Sequence, residues 1–85
     1  MVEFDYIVKN PVGLHMRPAK ELVKLVSSMN SEVYIIYNDK EIKVDSVLRL
    51  VMVGITAGTR IGIKIVNGDF ITNSEVIKEE LIKIL

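Results

Sequence analysis

The 85-residue chain is predicted to fold as an α+β open-faced two-layer sandwich, one mostly antiparallel sheet carrying three helices. Three observations lead there. Residues 2–8, 40–44 and 59–66 alternate apolar and polar side chains, the period of a half-buried strand, and 32–37 is rich in β-branched and aromatic residues. Residues 16–29 and 72–85 instead repeat near 3.6, the period of a helix with one buried face. Turn residues separate these segments, so the order reads β-α-β-β-α-β-α with no repeat, linker or low-complexity stretch.

Each element has a local reason. In the first strand Val2, Phe4, Tyr6 and Val8 point one way and Glu3, Asp5 and Ile7 the other. Asn10-Pro11-Val12-Gly13 breaks it with residues that cannot continue a ladder. Ala19, Leu22, Val23 and Val26 then form the apolar stripe of a helix ending around Met29-Asn30. Pro18 fixes its start. Proline is tolerated in the first turn, where its missing N–H would be unpaired anyway, so His15 falls at the N-cap. EVYIIY, 32–37, and the alternating 40–44 read as a hairpin across Asn38-Asp39. Ser46, a good cap, opens a short apolar segment over 47–52 that reads as a helix closed by Gly54, with a strand as the competing reading. Ile61, Ile63 and Ile65 share one face of the strand over 59–66. After the Asn67-Gly68-Asp69 turn, Thr72 and Glu75 match a capping box. The last helix puts Ile77, Leu81, Ile84 and Leu85 on one face and Lys78, Glu79 and Lys83 toward solvent.

Composition narrows the function. The length fits a single domain over 1–85. Eleven basic residues balance eleven acidic ones, and no run of four or more basic residues occurs. Nucleic-acid binding, which needs a basic patch to displace counterions, is disfavoured, and so is a polybasic membrane anchor. With no cysteine and one histidine, thiol nucleophiles, disulfides and Cys- or His-rich metal sites are excluded, and no cofactor is implied. MVEFDYIV lacks the basic-then-apolar order of a secretory signal, and no apolar run approaches the ~18 residues of a membrane span, so a soluble cytoplasmic protein is expected.

The single histidine lies in GLHMRPA, residues 13–19. A helix N-terminus has unpaired N–H donors and a partial positive charge, which suits an anion. Arg17 adds a planar cation with several donors that fits a phosphoryl group. Gly13 lets the loop turn and its backbone approach a ligand. A helix terminus contributes ~0.3–1 kcal/mol toward a nearby anion. A hydrogen bond to a charged group adds roughly 1.5–3 kcal/mol. Together these hold a phosphoryl group without trapping it, as a carrier requires. A hydrolase would want a second base, a carboxylate pair or a metal set, and none stands in this stretch. Taken singly, each residue has an ordinary role: His15 as cap, Arg17 as solvated helix residue, Pro18 and Gly13 as helix-start and turn residues.

Residues 13–19 match the pattern G-(L/I)-H-x-R-P-A, and DSVLRLVMVGITAGT, 45–59, has a serine opening a short apolar helix that ends in glycine. On these two motifs, and on the element order across almost the whole chain, the sequence resembles the HPr family, histidine-containing phosphocarriers of the bacterial sugar phosphotransferase system. The resemblance implies a sheet of order 1-4-2-3 with the three helices on one face, and a monomer. It implies that His15 accepts a phosphoryl group at Nδ1 from phosphorylated enzyme I, with phosphoenolpyruvate as the ultimate donor. His15 would then pass the group to the A component of a sugar permease, assisted by Arg17. The chain would be a protein substrate of those components, not an enzyme. In relatives from Gram-positive bacteria, the serine matching Ser46 is phosphorylated by a dedicated kinase, which damps transport and recruits a transcription regulator.

Val47, Leu48 and Val51 read as an apolar patch for docking enzyme I and permease domains, with core packing as the alternative. Arg49 beside them suits acidic partner surfaces. Three features depart from the family's habit: Met16 is bulkier than the usual small residue, Asp45 sets a charge beside Ser46, and Phe70-Ile71-Thr72 is more apolar than the usual acidic helix start. Other readings stay open at this point: a nitrogen-regulatory or otherwise diverged member with the same histidine, a non-catalytic binding module, and, more distantly, a small acylphosphatase-like enzyme. The last predicts activity that depends on Arg17 but not on His15.

Overall fold

The computed structural model describes all residues, 1–85. In order it contains β1 (Val2–Ile7), α1 (Met16–Ser27), β2 (Glu32–Tyr37), β3 (Lys40–Lys43), α2 (Val47–Met52), β4 (Arg60–Val66) and α3 (Phe70–Ile84). The four strands form one antiparallel sheet of order β1-β4-β2-β3. The last strand is therefore inserted between the first two. That placement puts Ile61, Ile63 and Ile65 of β4 at the centre of the sheet, at most 1 % exposed. The helices cover one face. Ala19, Leu22 and Val26 of α1, Leu50 of α2, and Ile77 and Leu81 of α3 join Val33, Ile35 and the β4 isoleucines in one buried cluster. The opposite face carries Glu3, Asp5, Arg60, Glu41 and Lys43 toward solvent, as the period-two alternation requires.

Most boundaries follow local chemistry. Asn38 and Asp39 both have positive φ, 51° and 62°, so the β2–β3 connection is a two-residue turn whose twist matches the strands. The apolar stretch over 47–52 is a helix, not a strand. The Ser46 hydroxyl accepts the Arg49 N–H at 3.2 Å, and Gly54, at φ 77°, follows the last turn and donates to the Val51 carbonyl.

Two helix ends differ from expectation. α1 stops at Ser27, before Met29. The Ser27 and Ser28 hydroxyls donate back to the Lys24 and Leu25 carbonyls, each at 2.7 Å, which offers the chain an alternative to another helical turn. α3 begins at Phe70 with Asp69 as its N-cap, so the Thr72–Glu75 capping box does not form. The reason is tertiary. Asn67 and Gly68, both at positive φ, turn the chain directly off β4. The Asn30 carboxamide then holds the entry: its oxygen accepts the Asp69 N–H and its nitrogen donates to the Asp69 carboxylate, each at 3.1 Å. A partner 39 residues away thus supplies what the local motif would have supplied. On α3, Lys78 is half-buried with its ammonium 5.0 Å from the centre of the Phe4 ring, so it is not purely a solvent residue.

Candidate functional site

The site is built from the loop between β1 and α1. Asn10 starts it: its side-chain oxygen accepts the Val12 N–H at 2.9 Å, and its carbonyl accepts the Gly13 N–H at 2.9 Å. These bonds wind residues 10–13 into a tight turn. Gly13 has φ 77°, a region L side chains rarely adopt, and it lies against the Ile55 carbonyl and Thr56. A methyl group there would strike the Ile55 oxygen. Leu14 is 3 % exposed and donates its N–H to the same Ile55 carbonyl at 3.0 Å. The loop after α2 is therefore the wall on which the histidine loop is laid.

His15 follows as the N-cap of α1, with extended backbone (φ −98°, ψ −171°). Its N–H is turned back to the Gly13 carbonyl at 3.1 Å, and its own carbonyl accepts the Ala19 N–H at 3.1 Å. The imidazole makes no capping bond, and neither ring nitrogen is hydrogen-bonded to the protein. The half-buried ring is therefore held by its backbone, with both nitrogens uncommitted.

The donors beside it are also uncommitted. No carbonyl accepts the N–H of Met16 or Arg17, the first two residues of α1, and Pro18 has none to give. Arg17 is exposed, and its guanidinium enters no ion pair or protein hydrogen bond. No acidic residue occupies the first turn to offset the helix's positive end. The arrangement can receive an anion on the imidazole with two backbone donors and a guanidinium at hand. No enclosed cavity surrounds it. The largest depression nearby, about 670 Å³, runs along the exposed side of α1 and is lined by Met16, Arg17, Lys20 and Lys24 among others, but not by His15. That shape suits approach by another protein's surface better than capture of a free small molecule.

Ser46 is half-buried at the start of α2 with its hydroxyl engaged. The Asp45 charge beside it is paired with Arg49, Oδ1 to Nη1 at 3.1 Å. Arg49 is thus bonded within its own chain, where the sequence left it free for a partner. Of the three apolar docking residues, Leu48 is 64 % exposed, whereas Val47 and Val51 are half-buried against the core. Met52, 75 % exposed, lies one turn after Leu48, and Met16 is 54 % exposed beside His15. Sequence reasoning missed Met52 as a companion of Leu48. The i, i+4 spacing held that signal, once the buried Leu50 had fixed the inward face.

The fold and these residues define a small open-sheet domain presenting a free imidazole at a helix start. Residues 2–79 match the model of the HPr component of the phosphotransferase system, described by its phosphorylation site. The chain belongs to this family of phosphocarriers. It is 34% identical over 82 residues to the phosphocarrier protein HPr of Mycoplasma capricolum, covering 96% of this chain and 92% of that one. The solved histidine-containing phosphocarrier protein of Mycoplasma superimposes with a TM-score of 0.90 at 33% identity, covering 96% and 93% of the two chains. HPr from Thermoanaerobacter tengcongensis shares the fold, with a TM-score of 0.87 at 22% identity over 95% of this chain and 91% of that one. The family match sets aside the acylphosphatase-like reading. No helix of the chain is long and apolar enough to cross a membrane.

Proposed function

We propose that this chain is a cytoplasmic phosphoryl carrier that accepts its group on His15 from phosphorylated enzyme I and delivers it to the A component of a sugar permease. The observation that carries the reading is the open start of α1: a ring with no protein partner, next to the unpaired N–H groups of Met16 and Arg17.

The steps balance simply. The lone pair of Nδ1 forms the new bond to phosphorus as the donor's bond to phosphorus breaks, and the donor keeps that electron pair. The attacking nitrogen must be the unprotonated one of a neutral ring, with the proton on Nε2. The phosphoryl oxygens then meet the Met16 and Arg17 amides and the Arg17 guanidinium. In the second transfer the acceptor's nucleophile takes the phosphorus, and the electron pair returns to Nδ1. With no metal or second base required, the carrier needs the partner's machinery for both steps. It acts as a substrate of those components and not as a catalyst, and residues 1–85 form its single domain. Leu48 and Met52 provide apolar contact for those partners, flanked by Val47 and Val51, and monomers suffice.

The test is to incubate the protein with enzyme I and phosphoenolpyruvate and record its intact mass, with His15→Ala alongside. One acid-labile phosphoryl group, absent from the variant, is expected. No gain, with a control carrier turning over, would overturn the reading and favour a binding module. Transfer onward to a sugar-permease A component, against its nitrogen-regulatory counterpart, distinguishes the two branches.

Ser46 is read as a regulatory phosphoacceptor for an ATP-dependent kinase, its phosphorylated form being bound by a transcription regulator. One observation favours this despite the acidic neighbour: Arg49 already pairs with Asp45 and weakens its repulsion of a phosphate at Ser46. Kinase treatment should place a second, acid-stable phosphate on the wild type and none on Ser46→Ala. Equal labelling of the two would sink the assignment.

A further inference from the structure

Asn10 lies five residues before His15 and far from α3 in sequence, yet it is bonded both to the turn that leads to His15 and to the end of α3. Its side-chain oxygen closes the turn on Val12, and its carbonyl closes the turn on Gly13. Its side-chain nitrogen donates to the Ile84 carbonyl at 3.1 Å, and its backbone N–H donates to the Leu85 oxygen at 2.7 Å. Lys9 adds another backbone bond to Leu85 at 2.7 Å. Leu85 is 3 % exposed, and Leu81 one turn earlier is fully buried, so the end of α3 is a fixed point in the core. Asn10 thus joins the loop that carries His15 to that fixed point, while the Leu14–Ile55 bond holds the loop's other end.

We infer that Asn10 is a positioning residue for the phosphorylatable histidine: its carboxamide clamps the 10–14 loop between the Val12 amide and the last turn of α3. The inference rests on His15 being the phosphoryl acceptor. Every direct link from the Asn10 turn to His15 runs through backbone, by way of the Gly13 N–H and the Gly13 carbonyl. The ring has no side-chain partner to correct its aim, so the loop sets where the nucleophilic nitrogen sits. Attack on phosphorus is sensitive to that placement, and a misplacement of ~1 Å costs about a hundredfold in favourable cases.

Two variants separate the two arms of the clamp. Asn10→Ser keeps a short oxygen for the Val12 N–H but cannot reach Ile84, and it adds no charge beside Arg17. Asn10→Ala loses both arms. Asn30→Ala, which loosens the opposite end of α3, controls for general destabilisation. The rate of phosphorylation by enzyme I is followed against carrier concentration, and 15N relaxation of residues 12–16 is recorded on the unphosphorylated proteins. The expected result is a roughly tenfold fall in maximal rate for Asn10→Ala and a smaller fall for Asn10→Ser. Half-saturation should be unchanged, with lowered order parameters at Gly13 to Met16. Asn30→Ala should lower the melting temperature and leave the rate alone. The inference is overturned if Asn10→Ala keeps wild-type order parameters at residues 12–16, or if its rate falls no further than that of Asn30→Ala. Should the wild type itself take no phosphoryl group, the phosphocarrier reading fails, and the relaxation data still decide whether the clamp exists.

Discussion

The starts of α1 and α2 differ in what the cap side chain does. Each helix opens with orphan N–H groups that need a partner. At α2 the Ser46 hydroxyl takes one of them, the Arg49 N–H, and leaves those of Val47 and Leu48 open. At α1 the cap is a histidine whose ring takes none, proline removes one donor, and two remain open. An uncapped helix start forgoes stability, since a good cap contributes roughly 0.5–2 kcal/mol. The fold forgoes it beside the one imidazole in the sequence. Stability and binding capacity are thus divided between two cap residues: Ser46 commits its side chain to its own helix, and the His15 ring stays available to a ligand.

Mutations should separate the two helix starts. The largest effect is expected from His15→Ala. Phosphorylation by enzyme I should vanish, while stability in urea changes by less than about 0.5 kcal/mol because no ring hydrogen bond is lost. Gly13→Ala comes next. It forces a side chain into φ 77° and against the Ile55 carbonyl, so a loss of about 3 kcal/mol is expected by urea denaturation. A near-neutral result would mean the loop can shift, and the fixed aim of His15 would be in question.

Arg17→Gln keeps the helix but removes the guanidinium. Losing one charge-assisted hydrogen bond to the phosphoryl group, roughly 1.5–3 kcal/mol, should slow phosphorylation about ten- to a hundredfold. Stopped-flow quench assays would measure it, with no matching change in melting temperature. Ser46→Ala should show the reverse pattern: about 1 kcal/mol less stable by thermal unfolding, with phosphorylation of His15 unchanged in the absence of kinase.

The smallest effect lies at the far end of α1. There the Tyr34 hydroxyl, then the Asn67 amide and Lys43, hold the half-buried Glu32 carboxyl below its ordinary value of 4.5. A carboxyl depressed in the folded state adds stability above its unfolded value and loses it as the pH falls through the folded one. Glu32→Gln should therefore flatten the acid limb of stability between roughly pH 5 and 3, and a limb as steep as wild type would remove Glu32 from the account.

Much of this was legible in the sequence, for identifiable reasons. Pro18 locates the start of α1 because its ring admits few positions, and His15 as N-cap follows by counting. The alternation of Ile61, Ile63 and Ile65 gives the buried face of β4 because strand side chains have period two. The start of α3 was not legible. Thr72 and Glu75 present a valid local motif, but Asn30 caps from 39 residues away, and pairings across the fold leave no local trace. The same limit hid the Asn10 bond to Ile84, 74 residues on, whereas the Asp45–Arg49 pair is local and its i, i+4 spacing was there to be read. The site residues were therefore read from local chemistry, and what holds them in place was not.

The most direct test follows the backbone amides themselves. The protein, 15N-labelled, is phosphorylated with enzyme I and phosphoenolpyruvate and compared with the free form by NMR. The expected result is a 15N–31P coupling at Nδ1 of His15 and downfield shifts of the Met16 and Arg17 amides as they take up phosphoryl oxygens, with the Ser46-capped Arg49 amide unmoved. A phosphoryl group on another residue, or on His15 with the Met16 and Arg17 amides unshifted, would contradict it.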